Sequence, residues 1–227
     1  MAKVTFIGHS AVEVQGSTHS VLIDPFISEN PVAQVAPEDV HPSAILLTHG
    51  HFDHLGDAIS ISQANEIPIV APFELAIFCG EQGAHEAVDM NPGGRRKFDF
   101  GEVHFTKAFH SSSFEGRYLG HACGIVFTTD DGKVIYHSGD TELFGDMELI
   151  ARFNAIDLAL LPIGGNWNMT PMEAMEAVRL LKPKAVVPIH YDTFPVIEQD
   201  AEAFKAAVEA ETEVKVVILK PGESYEL

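Results

Sequence analysis

Ala44-Ile45-Leu46-Leu47-Thr48-His49-Gly50-His51-Phe52-Asp53-His54 is the stretch that decides how this chain folds. Its four leading apolar residues suit a strand buried on both faces, and they run directly into a polar turn. The turn carries four ligand-type side chains within six residues, in the pattern His49-x-His51-x-Asp53-His54. Imidazole and carboxylate are donors that zinc and its first-row neighbours accept. One turn cannot aim all four at a single ion, because tetrahedral ligation needs wide angles between donors. A split is easier, with His49 and His51 facing one ion and Asp53 and His54 a second. Each ion then needs further ligands from elsewhere in the chain.

The same device recurs. Phe6-Ile7-Gly8-His9, Leu22-Ile23-Asp24, Ala108-Phe109-His110, Ser138-Gly139-Asp140 and Pro188-Ile189-His190 each end an apolar run on a polar residue. Strands in a sheet bring their ends to a common edge, so these residues are expected to form one site. His110, Asp140 and His190 are the candidates for the missing ligands. A carboxylate bridge from Asp140 would match the ~3.5–4 Å separation usual in two-metal sites. Taken singly, His110 reads as an ordinary histidine and Asp140 as a turn aspartate. It is their position at strand ends that argues for ligation.

Around these motifs the first half reads as short strands, at residues 3–7, 20–23, 44–47, 67–70, 102–109, 124–128 and 133–136. A helix over 73–82 ends at Gly83, and Asp130-Asp131-Gly132 marks a hairpin turn. The second half alternates, with strands at 155–161, 185–189 and 214–219 and a helix at 200–210. Thr170-Pro171-Met172-Glu173 opens another helix with a capping box and Pro at the first helical position; Lys182-Pro183 stops it.

The chain has 227 residues, 46% of them apolar, which is enough for one domain with a sizeable core. Its 33 acidic and 14 basic residues give a formal charge of -19. Such a surface repels phosphate backbones and anionic lipid, which argues against general nucleic-acid or membrane binding. Cys79 and Cys123 are too few for a disulfide scaffold and lack the close pairing of a structural zinc site. The N-terminus does not read as a signal peptide, and no run approaches the ~18 apolar residues of a membrane span, so a cytoplasmic location is expected. His85-Glu86-Ala87-Val88-Asp89 starts like H-E-x-x-H but ends in Asp, and no phosphate-binding glycine loop occurs.

Taken together, T-H-x-H-x-D-H at 48–54, the distant His110, Gly139-Asp140-Thr141 and the late His190, with Asp24 preceding them, resemble the metallo-β-lactamase superfamily over essentially the entire chain. Gly8-His9-Ser10, Tyr136-His137-Ser138-Gly139-Asp140-Thr141 and His190-Tyr191-Asp192-Thr193-Phe194-Pro195 resemble, within it, a group of small metal-dependent hydrolases close to the L-ascorbate-6-phosphate lactonases. The resemblance implies an α/β fold, a four-layer αββα sandwich with its site at the edge where the sheets meet. It puts His49, His51 and His110 on one ion, Asp53, His54 and His190 on the other, and Asp140 between them. Asp24 would orient the loop without ligating. The ions, zinc by default with manganese, iron or nickel as alternatives, would make hydroxide available near neutral pH for attack on a small ester, lactone or phosphoester. Asp53 would orient that nucleophile. His9 and His137 are candidates for donating to substrate or leaving group, with support of neighbouring ligands as their alternative role. Gly164-Gly165-Asn166 reads as an ordinary loop, with contact to substrate as its alternative. The implied partner is a small molecule, and a homo-oligomer is common among such relatives. Competing functions are a phosphodiesterase or nuclease and, in a different class, a non-hydrolytic redox or regulatory metal protein.

Overall fold

The computed structural model describes residues 2–227. Its first half contains β1 (Lys3–Gly8), β2 (Ala11–Gln15), β3 (Ser20–Ile23), β4 (Ala44–Leu46), α1 (Phe52–Leu55), α2 (Ala58–Asn65), β5 (Pro68–Pro72), α3 (Phe73–Glu81) and β6 (Glu86–Met90). There follow β7 (Arg95–Phe98), β8 (Gly101–Lys107), β9 (Ser113–Phe114), β10 (Arg117–Tyr118), β11 (Cys123–Thr129) and β12 (Val134–His137). The last part contains α4 (Met147–Phe153), β13 (Leu158–Pro162), α5 (Pro171–Leu181), β14 (Ala185–Ile189), α6 (Ala201–Glu211), β15 (Lys215–Val216) and β16 (Ser224–Glu226).

The strands form two seven-stranded sheets, ordered β16-β1-β2-β3-β4-β5-β6 and β15-β14-β13-β12-β11-β8-β7, with β9 and β10 as a separate small hairpin. Each sheet is mixed: β3 through β6 run parallel in the first, as do β12 through β15 in the second. Period-two alternation sorts the apolar residues into layers. In β3, Val21 and Ile23 face the space between the sheets while Leu22 faces outward. In β13, Leu158 and Leu160 face the other sheet while Ala159 and Leu161 face helices. The outer face of the first sheet buries residues of α2 and α3, and that of the second buries α4, α5 and α6. The result is the αββα sandwich. Because both faces of the central strands are covered, those strands read as continuous apolar runs.

Leu160 is fully buried in this inter-sheet core. Leu160→Ala is expected to lower the free energy of unfolding by about 2–5 kcal/mol. A urea titration checks this, and an unchanged midpoint would contradict the placement of the core.

Local chemistry accounts for the boundaries. Thr170 Oγ1 accepts from Glu173 N–H while the Glu173 carboxylate accepts from Thr170 N–H, so the capping box is present and Pro171 sits at the first helical position. Asp200 caps α6 by accepting from Ala203 N–H at 2.9 Å. Gly132, at φ +84, turns the β11–β12 hairpin. The structure adds elements beyond the sequence reading: β2, α2, β6, β7, α4 and β16. His85-Glu86-Ala87-Val88-Asp89 lies largely in the edge strand β6, so it is not a helical motif of any kind. Among the described residues no helix is long and apolar enough to cross a membrane.

Candidate metal centre

The parallel strands deliver their C-terminal ends to one edge of the sandwich, and backbone hydrogen bonds join the two sheets there. His190 N–H, after β14, donates to His9 C=O, after β1, at 2.8 Å. Cys123 N–H, at the start of β11, donates to Thr48 C=O, after β4, at 3.0 Å. The seam is tight. A Cβ on Gly139 would meet Cys123 C=O and Thr48 Cβ at 2.8 Å each, at a φ of +59 that favours glycine. His9, Asp24 and His190 themselves adopt left-handed backbone, at φ 59, 48 and 55. Such strain in side-chain-bearing residues concentrates where geometry serves a function.

Three histidines converge first. His51 Nδ1 lies 3.1 Å from His49 Nε2 and 3.3 Å from His110 Nε2. Tetrahedral ligation with bonds of ~2.0–2.1 Å places donors ~3.3–3.4 Å apart, so these three nitrogens have the spacing of one ion's ligands. Thr48 sets the ring of His49. Its hydroxyl donates to Asp24 Oδ2 at 2.6 Å, so its oxygen is free to accept from His49 Nδ1 at 3.0 Å, turning Nε2 inward. Burial holds His49, His51 and His110 below the ordinary histidine range, which keeps them in the neutral form a ligand needs.

A second group lies alongside. Donor atoms of His9, Asp53, His54 and His190 all fall within 4.8 Å of one another. The short helix α1 explains how one motif serves two groups: His51 stands on extended backbone just before the helix, whereas Asp53 and His54 lie on its first turn, where the chain has changed direction. His54 Nδ1 donates to Asp24 Oδ2 at 2.7 Å, leaving Nε2 to face inward. That Nε2 and both ring nitrogens of His190 are buried without a hydrogen-bond partner. Buried polar atoms are rarely orphaned, and the Nε2 atoms of His54 and His190, which both face Asp140, are what a cation there would satisfy.

Asp140 joins the two groups. Its Oδ2 lies 3.1 Å from His190 Nε2 and 3.6 Å from His110 Nε2, and its Oδ1 lies 3.5 Å from His54 Nε2. Burial alone would raise the carboxyl, but His190 and His54 outweigh it and hold Asp140 well below the carboxylate range. The converse holds on the imidazoles. Burial would lower His54 and His190, yet Asp140 raises both, His190 to about 9. The carboxylates therefore demand positive charge at this point, and the donor set fits divalent metal.

Asp24 takes the orienting position. It is fully buried and accepts from Thr48 N–H at 2.8 Å, the Thr48 hydroxyl and His54 Nδ1. Asp24→Ala is expected to weaken metal affinity by about 10–100-fold, because His54 loses the partner that sets its ring and Thr48, which sets that of His49, loses the acceptor that orients its hydroxyl. Competition against a chromogenic chelator measures this; unchanged affinity would show that the rings hold their orientation unaided.

His9 and His137 do not line the cavity over the cluster, and both are fully buried. His137 accepts from Gly139 N–H at Nδ1 (3.1 Å) and donates from Nε2 to Ser10 C=O (2.9 Å). Both nitrogens are occupied by backbone, so His137 braces the Asp140 loop rather than reaching substrate. His9 donates from Nε2 to Asp53 Oδ2 at 3.0 Å and pairs at Nδ1 with the Thr193 hydroxyl at 2.9 Å. Burial pushes it down to about 4, so it is the neutral donor that orients Asp53. Asn166 is exposed and outside the cavity; its neighbour Trp167 lines it instead. The sequence reading assigned no role to Asn168, whose Nδ2 donates to Asp140 Oδ1 at 3.2 Å, or to Thr193 and Phe194, and it weighed Ser111 only as a nucleophile, which no G-x-S-x-G elbow supports. The Tyr191-Asp192-Thr193-Phe194 segment had drawn notice as part of a motif, without a role.

The sequence pattern of the Beta-lactamase superfamily domain matches residues 19–191. A "UPF0173 metal-dependent hydrolase" from Pelotomaculum thermopropionicum is 52% identical over 99% of this chain and 100% of its own. The structure of Igni18, described as a metallo hydrolase from the archaeon Ignicoccus hospitalis, superposes with a TM-score of 0.91 at 35% identity, covering 100% of this chain and 99% of that one. At 13% identity the fold also matches CmlA, a diiron β-hydroxylase from Streptomyces venezuelae, with a TM-score of 0.79 over 100% of this chain and 54% of that one. Fold alone therefore does not fix the reaction; the donor set and the near relatives do so at the level of class. The chain belongs to the metallo-β-lactamase superfamily, among its metal-dependent hydrolases.

Proposed function

We propose that this hydrolase uses two divalent ions, zinc by default, to cleave a small ester, lactone or phosphoester. The observation that carries this is the pair of adjoining donor groups with Asp140 within 3.1–3.6 Å of both. His49, His51 and His110 would hold one ion, Asp53, His54 and His190 the other, and Asp140 would bridge. Bound there, the ions supply Lewis acidity, making water nucleophilic near neutral pH and polarising the scissile carbonyl or phosphoryl oxygen.

The chain's own groups provide the rest. Asp53 belongs to the cluster and also lines the cavity, so its carboxylate can accept a hydrogen bond from the attacking water. His9, backed by Thr193, fixes Asp53 in that orientation. Ser111 and His51 stand on the cavity wall, with Ser111 Oγ 3.3 Å from His51 Nε2, where a hydroxyl can donate to substrate oxygen. Asn168 holds Asp140 by donating to Oδ1, the oxygen that also faces His54.

Metal-loaded protein is to be assayed with zinc, manganese or nickel on p-nitrophenyl acetate, a γ-lactone and bis-p-nitrophenyl phosphate. Turnover of at least one, lost on chelation and restored by metal, is expected. No turnover of any of the three with any of the metals would contradict the assignment.

A further inference from the structure

The cavity above the cluster is walled largely by aromatic carbon. It holds about 310 Å³, at the small end for ligand sites, and Phe52, Trp167, Phe194 and Ser111 enclose it beside the ligand-type residues. Phe52 and Trp167 keep 53% and 48% of their surface exposed, large apolar area that a ligand would cover. These rings are held in place. Phe52 packs edge-on against buried Phe26 at 5.8 Å, Phe194 against buried His9 at 5.6 Å, and Trp167 against Phe194 at 6.3 Å. A wall already ordered loses little freedom when a ligand binds.

Charge is distributed just as unevenly. The only carboxylates lining the cavity, Asp53 and Asp140, belong to the cluster, and no lysine or arginine is among the described residues that line it. A charged group on the distal part of a substrate would exchange water for aromatic carbon without gaining a partner. An uncharged ring or branched alkyl group would gain by the same transfer.

We infer that the site takes an uncharged carbonyl compound, an ester, lactone or thioester, whose single aromatic or branched aliphatic group lies against Trp167 and Phe194. This rests on the hydrolase assignment proposed above and narrows it. Water adds across the acyl–oxygen or acyl–sulfur bond: its oxygen ends in the carboxylate, one proton goes to the leaving alcohol or thiol, and the other to solvent. Compounds with an anionic tail are selected against.

Trp167 is the chain's single tryptophan, so its fluorescence reports occupancy without turnover. The metal-loaded protein is to be titrated with 4-phenyl-2-butanone, with its para-carboxylate derivative, and with 2-butanone. Ketones cannot be hydrolysed, so binding alone is read. 4-Phenyl-2-butanone is expected to shift the emission saturably, with Kd at least tenfold below those of the other two. Phe52→Ala, at an exposed position, is expected to raise that Kd about fivefold. Equal Kd for the charged and uncharged aryl ketones, or no saturable response to 4-phenyl-2-butanone, would overturn the inference. Binding selectivity without hydrolysis of any ester would instead defeat the hydrolase assignment and leave the cavity's preference standing.

Discussion

Replacing Asp140 by alanine is expected to lower kcat/KM on the order of 10³-fold, equivalent to about 4 kcal/mol of transition-state stabilisation. The size follows from position. Asp140 approaches His110 of one donor group and His54 and His190 of the other, so a single truncation would take the proposed bridging ligand from both. It also removes the negative charge that draws cations to a buried cluster of imidazoles. Metal content should fall below two equivalents. Folding of the metal-free chain should also suffer, because Asp140 is there the counter-charge of His54 and His190, and removing one partner of a buried ion pair costs about 3–5 kcal/mol. Turnover is therefore compared on folded, metal-loaded protein. Steady-state kinetics with elemental analysis of the same sample decides the matter. Full turnover with two ions retained would show that Asp140 neither bridges nor attracts them.

The second large effect is expected at Asp53. Asp53→Ala should cost on the order of 10²–10³-fold in turnover, the range seen when a preorganised electrostatic partner is removed. Asp53 and Asp140 both face the cavity, but only Asp53 has its Oδ2 held by His9. The fold should tolerate the change. Asp53 lies on a four-residue helix whose apolar anchor is Leu55, packed in the outer core. A thermal midpoint close to that of the parent with turnover lost separates a chemical role from a structural one. A variant that kept full turnover on every active substrate would remove Asp53 from the mechanism.

Much of this was legible in the sequence because metal chemistry restricts residue type. His49, His51, Asp53, His54, His110, Asp140 and His190 each follow or adjoin a strand, and the structure brings all seven together at one edge. Strands buried on both faces announce themselves as apolar runs, which is why Ser20–Ile23 and Ala185–Ile189 have the boundaries their sequence suggests. The elements passed over are mostly those whose pattern is weak for a physical reason. β6, β7 and β16 are sheet edges, and Arg95-Arg96-Lys97-Phe98 has the charge that protects an edge from pairing with other chains. In α2, Ile59-Ser60-Ile61-Ser62 alternates as a strand would. Packing decides for the helix, burying Ala58, Ile61 and Ser62 at helical spacing.

The supporting residues of the site were harder to read. Asn168 and Thr193 are common residues whose roles come from a partner across the fold, Asp140 in one case and His9 in the other. Trp167 and Phe194 look like any core aromatics until the cavity places them. For His137 the sequence left proton donation and support of neighbouring ligands both open. Both its nitrogens hydrogen-bond to backbone, which decides for support. Left-handed backbone at His9, Asp24 and His190 leaves no trace in residue type, unlike a glycine.

The proposal of two ions is tested most directly by metal analysis of the purified chain after reconstitution and removal of loosely bound ions. Two equivalents of divalent metal per chain are predicted, falling below two in Asp140→Ala. A chain that retains no metal after reconstitution, or that holds the same two equivalents without Asp140, would contradict it.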